Sequence, residues 1–303
     1  MLAVLISIFT FLTIALPLLL IAWLWKGKFT SRVDWIVRVL AAASIVLFFD
    51  LAGPWAFLSI WLKYVVKALF VAAALWSFPR LEERAIFSKR NSKGRVNYKP
   101  RIVIIAVFLL LDILAIKGKL PKGEPVDLAF PMKEGRYYAI QGGASPILNP
   151  FHRSEKSEHY AIDIVKLNLI GNRAGGLFPS ELTSYKIFGE FLYSPCSGKV
   201  TFAADGVPDN APHEVNENNP AGNHIILECK GVSLLLAHLM NGSVKVRQGQ
   251  YVKENQVIGR VGNSGMTFEP HLHISGHKAR EPDKPVPLTF NGEYLVMNKG
   301  MKN

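Results

Sequence analysis

Hydrophobic residues fall along this chain in two different rhythms. Up to about residue 119 they run almost unbroken. Residues 1–25 contain no charge, and further apolar runs cover 35–51, 55–78 and 102–116. Beyond Leu120-Pro121-Lys122-Gly123 the apolar residues come in short, often β-branched segments punctuated by glycine, proline and asparagine. The first rhythm predicts membrane-spanning helices, because about 20 apolar residues cross a bilayer; the second predicts strands and turns. The expected fold class is therefore an N-terminal α-helical transmembrane bundle of about four helices followed by a C-terminal all-β domain. The expected division is a membrane domain over 1–119, a linker with leading strands over 120–156, and the β-domain over 157–303. Strands are expected at 137–140, 160–165, 199–203, 224–228, 233–238, 251–252, 256–261 and 271–275. The stretch 163–191 reads as a long loop of the size that usually carries function. The first apolar run lacks a basic lead and a small-residue cleavage site, so it is expected to remain as a helix.

Charge changes the picture of partners. The chain carries a formal net charge of +12, which by itself suggests nucleic acid. Residues 1–119 hold 16 Lys/Arg against 5 Asp/Glu, and residues 120–303 hold 19 against 18. The basic excess belongs to the apolar half, and no nucleic-acid partner is expected. It is concentrated at Lys26, Lys28 and Arg32, and at Arg80, Arg84, Lys89, Arg90, Lys93, Arg95, Lys99 and Arg101. Loops rich in Lys and Arg stay cytoplasmic. With four spans both termini then lie outside, giving a multi-pass protein of the cell membrane with an extracytoplasmic C-terminal domain. Arg38, Asp50, Lys63, Lys67 and Asp112 fall within or near the spans and are read as snorkelling or paired within the bundle.

Two cysteines, Cys196 and Cys229, are too few for a disulfide framework. They are expected as small unpaired residues in a β core, although an oxidising compartment would allow them to pair.

All eight histidines follow residue 150. His159 precedes Asp163 by four positions, and on a strand an even separation puts both on one face. His271-Leu272-His273 likewise points two imidazoles one way and Leu272 the other. Two imidazoles and a carboxylate suit a catalytic zinc ion, which leaves a fourth position for water. A further imidazole can move protons near neutral pH. His152, His213 and His277 lie in polar stretches and are read as solvated.

The sequence around these pairs resembles the lysostaphin-type (LytM-like) zinc metalloendopeptidases. The resemblance is carried by His159-x-x-x-Asp163, Ser194-Pro-Cys-Ser-Gly-Lys-Val200, Gly222-Asn-His-Ile-Ile-Leu-Glu228, Leu235-Leu-Ala-His238-Leu, the run from Val244 to Gly265, and Pro270-His-Leu-His273. It covers residues 157–275 in the family's order and implies an open antiparallel, barrel-like sheet forming a groove with Zn2+ at its base. By the matching motifs His159, Asp163 and His273 are the implied ligands, and His238 and His271 the implied proton-transfer residues. Asn223, His224 and Asn263 are read as lining the groove. The implied substrate is the peptide part of peptidoglycan; the other expected partner is the lipid bilayer, and no protein partner is indicated. The chain departs from the family's usual Ser/Thr-Gly-Pro lead, having Met266-Thr-Phe-Glu-Pro270 instead, and its segment after Asp163 is long. The rival reading is a silent wall-binding or hydrolase-activating module of the same fold, against which stands the filling of all five family positions. A biotinyl- or lipoyl-type carrier fits the 249–259 turn, but it needs an exposed, modified lysine and no histidine cluster.

Overall fold

The computed structural model describes residues 2–78, 86, 97–153 and 155–302. The chain divides into two compact units, Met1–Ile116 and Lys117–Asn303. In the first, helices α1 (Leu2–Trp25), α2 (Arg32–Ala52), α3 (Trp55–Leu58), α4 (Ile60–Ser77) and α5 (Lys99–Gly118) follow the apolar runs. α2 starts where the Ser31 hydroxyl accepts the Asp34 amide at 3.1 Å, a side-chain cap for a helix N-terminus. It stops at Gly53-Pro54, where proline breaks the hydrogen-bond ladder. Leu24, Ala42, Phe49, Trp55 and Ala73 form the apolar core of this unit.

Among the described residues, three helices are long and apolar enough to cross a membrane: Val4–Trp25, Arg32–Ala52 and Ile60–Ser77. The expected fourth span coincides with α5, whose Lys99, Arg101, Asp112 and Lys117 keep it outside that class. Several charges within the helices pair: Asp34 bonds Arg38 and Arg101, and Asp50 lies 2.9 Å from Lys67 and 3.6 Å from Lys63. Asp112, by contrast, is buried with neither carboxylate oxygen hydrogen-bonded among the described residues. The basic positions Arg80, Arg84, Lys89, Arg90, Lys93 and Arg95 lie outside the described residues.

The second unit is all β. Its strands are β1 (Val126–Leu128), β2 (Arg136–Gln141), β3 (Ile162–Lys166), β4 (Phe191–Tyr193), β5 (Gly198–Ala204), β6 (Asn223–Cys229) and β7 (Val232–Leu239). They continue with β8 (Tyr251–Val252), β9 (Val257–Arg260), β10 (Leu272–Lys278), β11 (Glu281–Pro285), β12 (Leu288–Phe290), β13 (Glu293–Tyr294) and β14 (Gly300–Lys302). The main sheet runs β14-β2-β3-β10-β7-β6-β5-β8, with β11 also on β10. Its pairs are antiparallel and it does not close into a barrel. β1 pairs β12 in parallel in a small sheet of its own.

Alternation along the central strands sorts their residues into two layers. Ile162 and Ile164, Leu272 and Ile274, Leu234 and Leu236, and Ile225 and Leu227 join one apolar core. Between them, on the other face, stand Asp163, His273 and Ser275. Fully burying a side chain such as Leu272 is worth about 1.5–3 kcal/mol. A slip of one residue would exchange the two faces, so the core fixes the register that the polar face depends on.

Cys196 and Cys229 form a disulfide with Cα atoms 6.4 Å apart, contrary to the expectation of unpaired thiols. The reason lies in the strand pairing. Register between β5 and β6 sets Lys199 against Glu228, which brings the start of one strand beside the end of the other. No sequence spacing reveals that. Closing a separation of 33 residues constrains the unfolded chain by about 3–4 kcal/mol. Cys196→Ser with Cys229→Ser should therefore lower the melting temperature of this unit by roughly 10 °C, as read by thermal unfolding with and without reductant.

Candidate metal centre

The site is assembled on two adjacent strands and the loops beside them. Asp163 on β3 and His273 on β10 are direct cross-strand partners, and His273 Nδ1 lies 3.1 Å from Asp163 Oδ1. The third member is His152, whose Nε2 lies 3.4 Å from Asp163 Oδ2. Its ring meets that of His273 edge-on, with centroids 4.9 Å apart. One donor atom from each of His152, Asp163 and His273 falls within 4.8 Å of the other two.

His159, read from the sequence as the histidine partner of Asp163, is not in this group. β3 begins only at Ile162, and residues 155–160 form turns, so the strand periodicity that would have put His159 and Asp163 on one face does not apply. His159 is half-buried beside the charges of Arg153 and Lys156. The same turn instead presents Glu158, whose Oε2 lies 3.1 Å from His273 Nε2. His152, read as solvated, is turned inward by Asn149. That residue is fully buried; its Oδ1 lies 2.8 Å from His152 Nδ1, and its Nδ2 donates to the Ala161 carbonyl. Each imidazole of the group thus has its remote nitrogen on an oxygen, which fixes the ring and leaves the other nitrogen facing Asp163. No sequence spacing links a turn residue to a strand eleven positions later.

His238 and His271 flank the group. β7 would direct His238 into the apolar core along with Leu234 and Leu236. An extra residue prevents this: Asn223 pairs with Leu239, but Ile225 pairs with Leu236, so Ala237 and His238 together face His224. His238 takes φ 63°, and the core pattern resumes one position late, at the fully buried Leu239. Such bulges re-aim a side chain beside functional sites. The His238 ring accordingly lies 4.8 Å from His271 and 5.7 Å from His273, centroid to centroid. Its Nδ1 lies 2.9 Å from the Ser264 carbonyl, while His271 Nδ1 lies 2.8 Å from the Glu269 carbonyl. Both imidazoles therefore carry the proton on Nδ1. His271 Nε2 is 3.5 Å from Asp163 Oδ1.

Electrostatics differ sharply between neighbours. Burial, reinforced by the adjacent His271 and His273, holds the His238 pKa well below its usual value. Burial also depresses His271 and His273, but carboxylates outweigh it. Asp163 raises His271, and Asp163 with Glu158 pushes His273 up to about 10. Burial pulls the Asp163 pKa upward; the surrounding histidines overcome that and hold it well below the usual carboxylate value.

The three residues read as lining the groove divide. Asn223 is buried, with its Nδ2 donating to Val207 and Leu239 carbonyls and its Oδ1 accepting the Val207 amide. Asn263 is also buried, donating to the Asn210 carbonyl and accepting from the Thr267 hydroxyl. Both tie loops together and present no free polar atom. His224 stands on the same sheet face as His273, stacked on Phe202 with centroids 5.2 Å apart.

Residues 188–285 match the family described as Peptidase family M23. The match includes His238, His271 and His273; Asp163 and His152 precede it. No curated protein matches the chain. Solved structures similar to it include a zinc-containing peptidase from Vibrio cholerae, at 21% identity and TM-score 0.32, over 52% of this chain and 37% of that one. Another is the antimicrobial peptidase lysostaphin from Staphylococcus simulans, at 22% identity and TM-score 0.28, over 42% and 41%. A third is Csd3 of Helicobacter pylori, at 23% identity and TM-score 0.31, over 61% and 37%. The chain thus spans about two fifths of the length of each of these proteins. Residues 188–285, which supply His238, His271 and His273 to the cluster, thus form a peptidase family M23 domain.

Proposed function

We propose that the chain is a membrane-anchored zinc metalloendopeptidase that hydrolyses peptide bonds of peptidoglycan outside the cytoplasm. In this reading His152, Asp163 and His273 hold the metal, and His238 and His271 act beside it. The observation that carries the reading is the convergence of a carboxylate and two imidazole nitrogens, each ring held by a partner of its own. Zinc bonds of about 2.0–2.2 Å to nitrogen and oxygen require donor atoms a little over 3 Å apart. The separations of 3.1 and 3.4 Å to the Asp163 oxygens fit that requirement. Bound there, zinc supplies Lewis acidity to a scissile carbonyl and to an attacking water.

The chain's own residues supply proton handling. With Nδ1–H committed to the Ser264 carbonyl, His238 offers a bare Nε2, and its depressed pKa keeps it neutral and able to accept a proton. His271, raised by Asp163, retains a proton more readily and can donate a hydrogen bond to a developing oxyanion. Neighbouring titratable groups pushed in opposite directions are a common basis for dividing acid and base roles. The disulfide supports an oxidising location; the loop charges agree with it on a count of four crossings, which requires α5 to cross in addition to the three more apolar helices.

The test is full-length protein purified in detergent: one zinc per chain, and chelator-sensitive release of peptides from isolated cell walls with the products identified by mass. Protease accessibility of the C-terminal unit in intact spheroplasts tests its location. Two further results are expected. Glu158→Gln should weaken zinc binding by about 10–100-fold, measured by competition with a chromophoric chelator. To hold zinc, His273 would have to release the proton that it keeps below a pKa of about 10. Affinity should therefore rise with pH across the neutral range and fall on acidification, with proton release seen by calorimetry in buffers of different ionisation enthalpy.

A further inference from the structure

Two departures from the lysostaphin-type pattern, the long segment after β3 and the Phe-Glu lead into Pro270, meet at one contact. Arg173, from the long segment, and Glu269, from the lead, are buried, their side chains 1% and 5% exposed. They form a two-pronged pair, Nε to Oε1 at 2.5 Å and Nη2 to Oε2 at 2.6 Å. Arg173 is itself held firmly. Its Nη2 also donates to the Leu177 carbonyl, its carbonyl accepts the Lys186 amide, and Ala174 bridges Tyr185. A buried ion pair is weak evidence for stability, because desolvation offsets its attraction. Its location is more telling. The Glu269 backbone carbonyl is the 2.8 Å partner of His271 Nδ1, and it also accepts the Thr267 hydroxyl at 2.8 Å.

We infer that the Arg173–Glu269 pair is a positioning device: it fixes the carbonyl that holds His271 Nδ1–H and so aims His271 Nε2 into the site. Arg173 and Glu269 touch no reacting atom; they act through His271. The segment after β3 is then a buttress for a proton-handling residue, and the glutamate in the lead is its attachment point. The kinetic part of this inference rests on the hydrolase reading above.

The test uses full-length protein in detergent. Arg173→Lys keeps the charge but replaces a planar fork with a single point donor. Turnover on cell-wall peptide should fall about tenfold or more, with KM and zinc content unchanged. Arg173→Met with Glu269→Leu removes both charges together, leaving neither stranded, and should show the same split. If the double variant does not fold, the lysine variant decides alone. A second readout is independent of activity. Nitrogen-15 spectra of the His271 imidazole, recorded at a pH where the ring is neutral, should show one Nδ1–H tautomer in the wild type and a tautomer mixture in the variants. Wild-type turnover and a single tautomer in the variants, whatever their melting temperature, would overturn the inference. A wild-type protein that hydrolyses nothing would overturn the hydrolase reading, while the tautomer spectra would still decide this one.

Discussion

His152→Ala will strip the protein of its metal and its activity together, whereas His159→Ala will leave one zinc bound and turnover near the wild-type rate. The argument is geometric. His152 Nε2 lies 3.4 Å from Asp163 Oδ2, with Nδ1 against Asn149; His159 sits on the preceding turn with Arg153 and Lys156 as its charged neighbours. Loss of one of three protein donors leaves two, too few for a catalytic zinc site of the usual kind. Asp163→Ala should match His152→Ala, because Asp163 is the group both imidazoles face. Metal analysis by mass spectrometry, alongside wall digestion, checks all three variants. Retained zinc in the His152 variant and lost zinc in the His159 variant would restore the assignment read from the sequence spacing.

The second large effect is expected at the flanking histidines. His238→Ala and His271→Ala should keep the zinc and lose about 10²–10⁴-fold in turnover, the usual worth of a positioned acid or base. Their Nε2 atoms belong to rings whose Nδ1 atoms are tied to the Ser264 and Glu269 carbonyls. Neither residue belongs to the group of three whose donors converge within 4.8 Å. The two losses should not add in the double variant if the residues act in one step. Steady-state kinetics on a defined peptide, with zinc content measured on the same preparations, separates loss of metal from loss of proton transfer.

How much of this could be read from residues alone depends on whether local periodicity was the deciding force. Helices in the first unit follow runs of apolar residues, which need no partner to be recognised. β10 was legible because Leu272 and Ile274 must enter the core, which sends His271 and His273 the other way. Asp163 was legible for the same reason, flanked by Ile162 and Ile164. His152 was not, because a turn holds it and a buried asparagine aims it, and neither leaves a period in the sequence. The structure leaves His159 outside the group for the same kind of reason: alternation was carried back to a residue three positions before the strand starts at Ile162. The cysteine pair depended on the register between β5 and β6, a long-range property that two isolated residues cannot announce.

The backbone irregularity at His238 has a consequence for anyone redesigning this sheet. Deleting a single residue there would give β7 an ideal ladder and relieve a left-handed conformation that costs roughly 1–2 kcal/mol. Leu239 would still enter the apolar layer, but the single residue left between it and Leu236 would stand in the regular ladder, so an imidazole there would lose the aim that the bulge gives it. The direction of that side chain is encoded partly in an imperfection of counting, and a tidier and sturdier version of the same architecture would lose it.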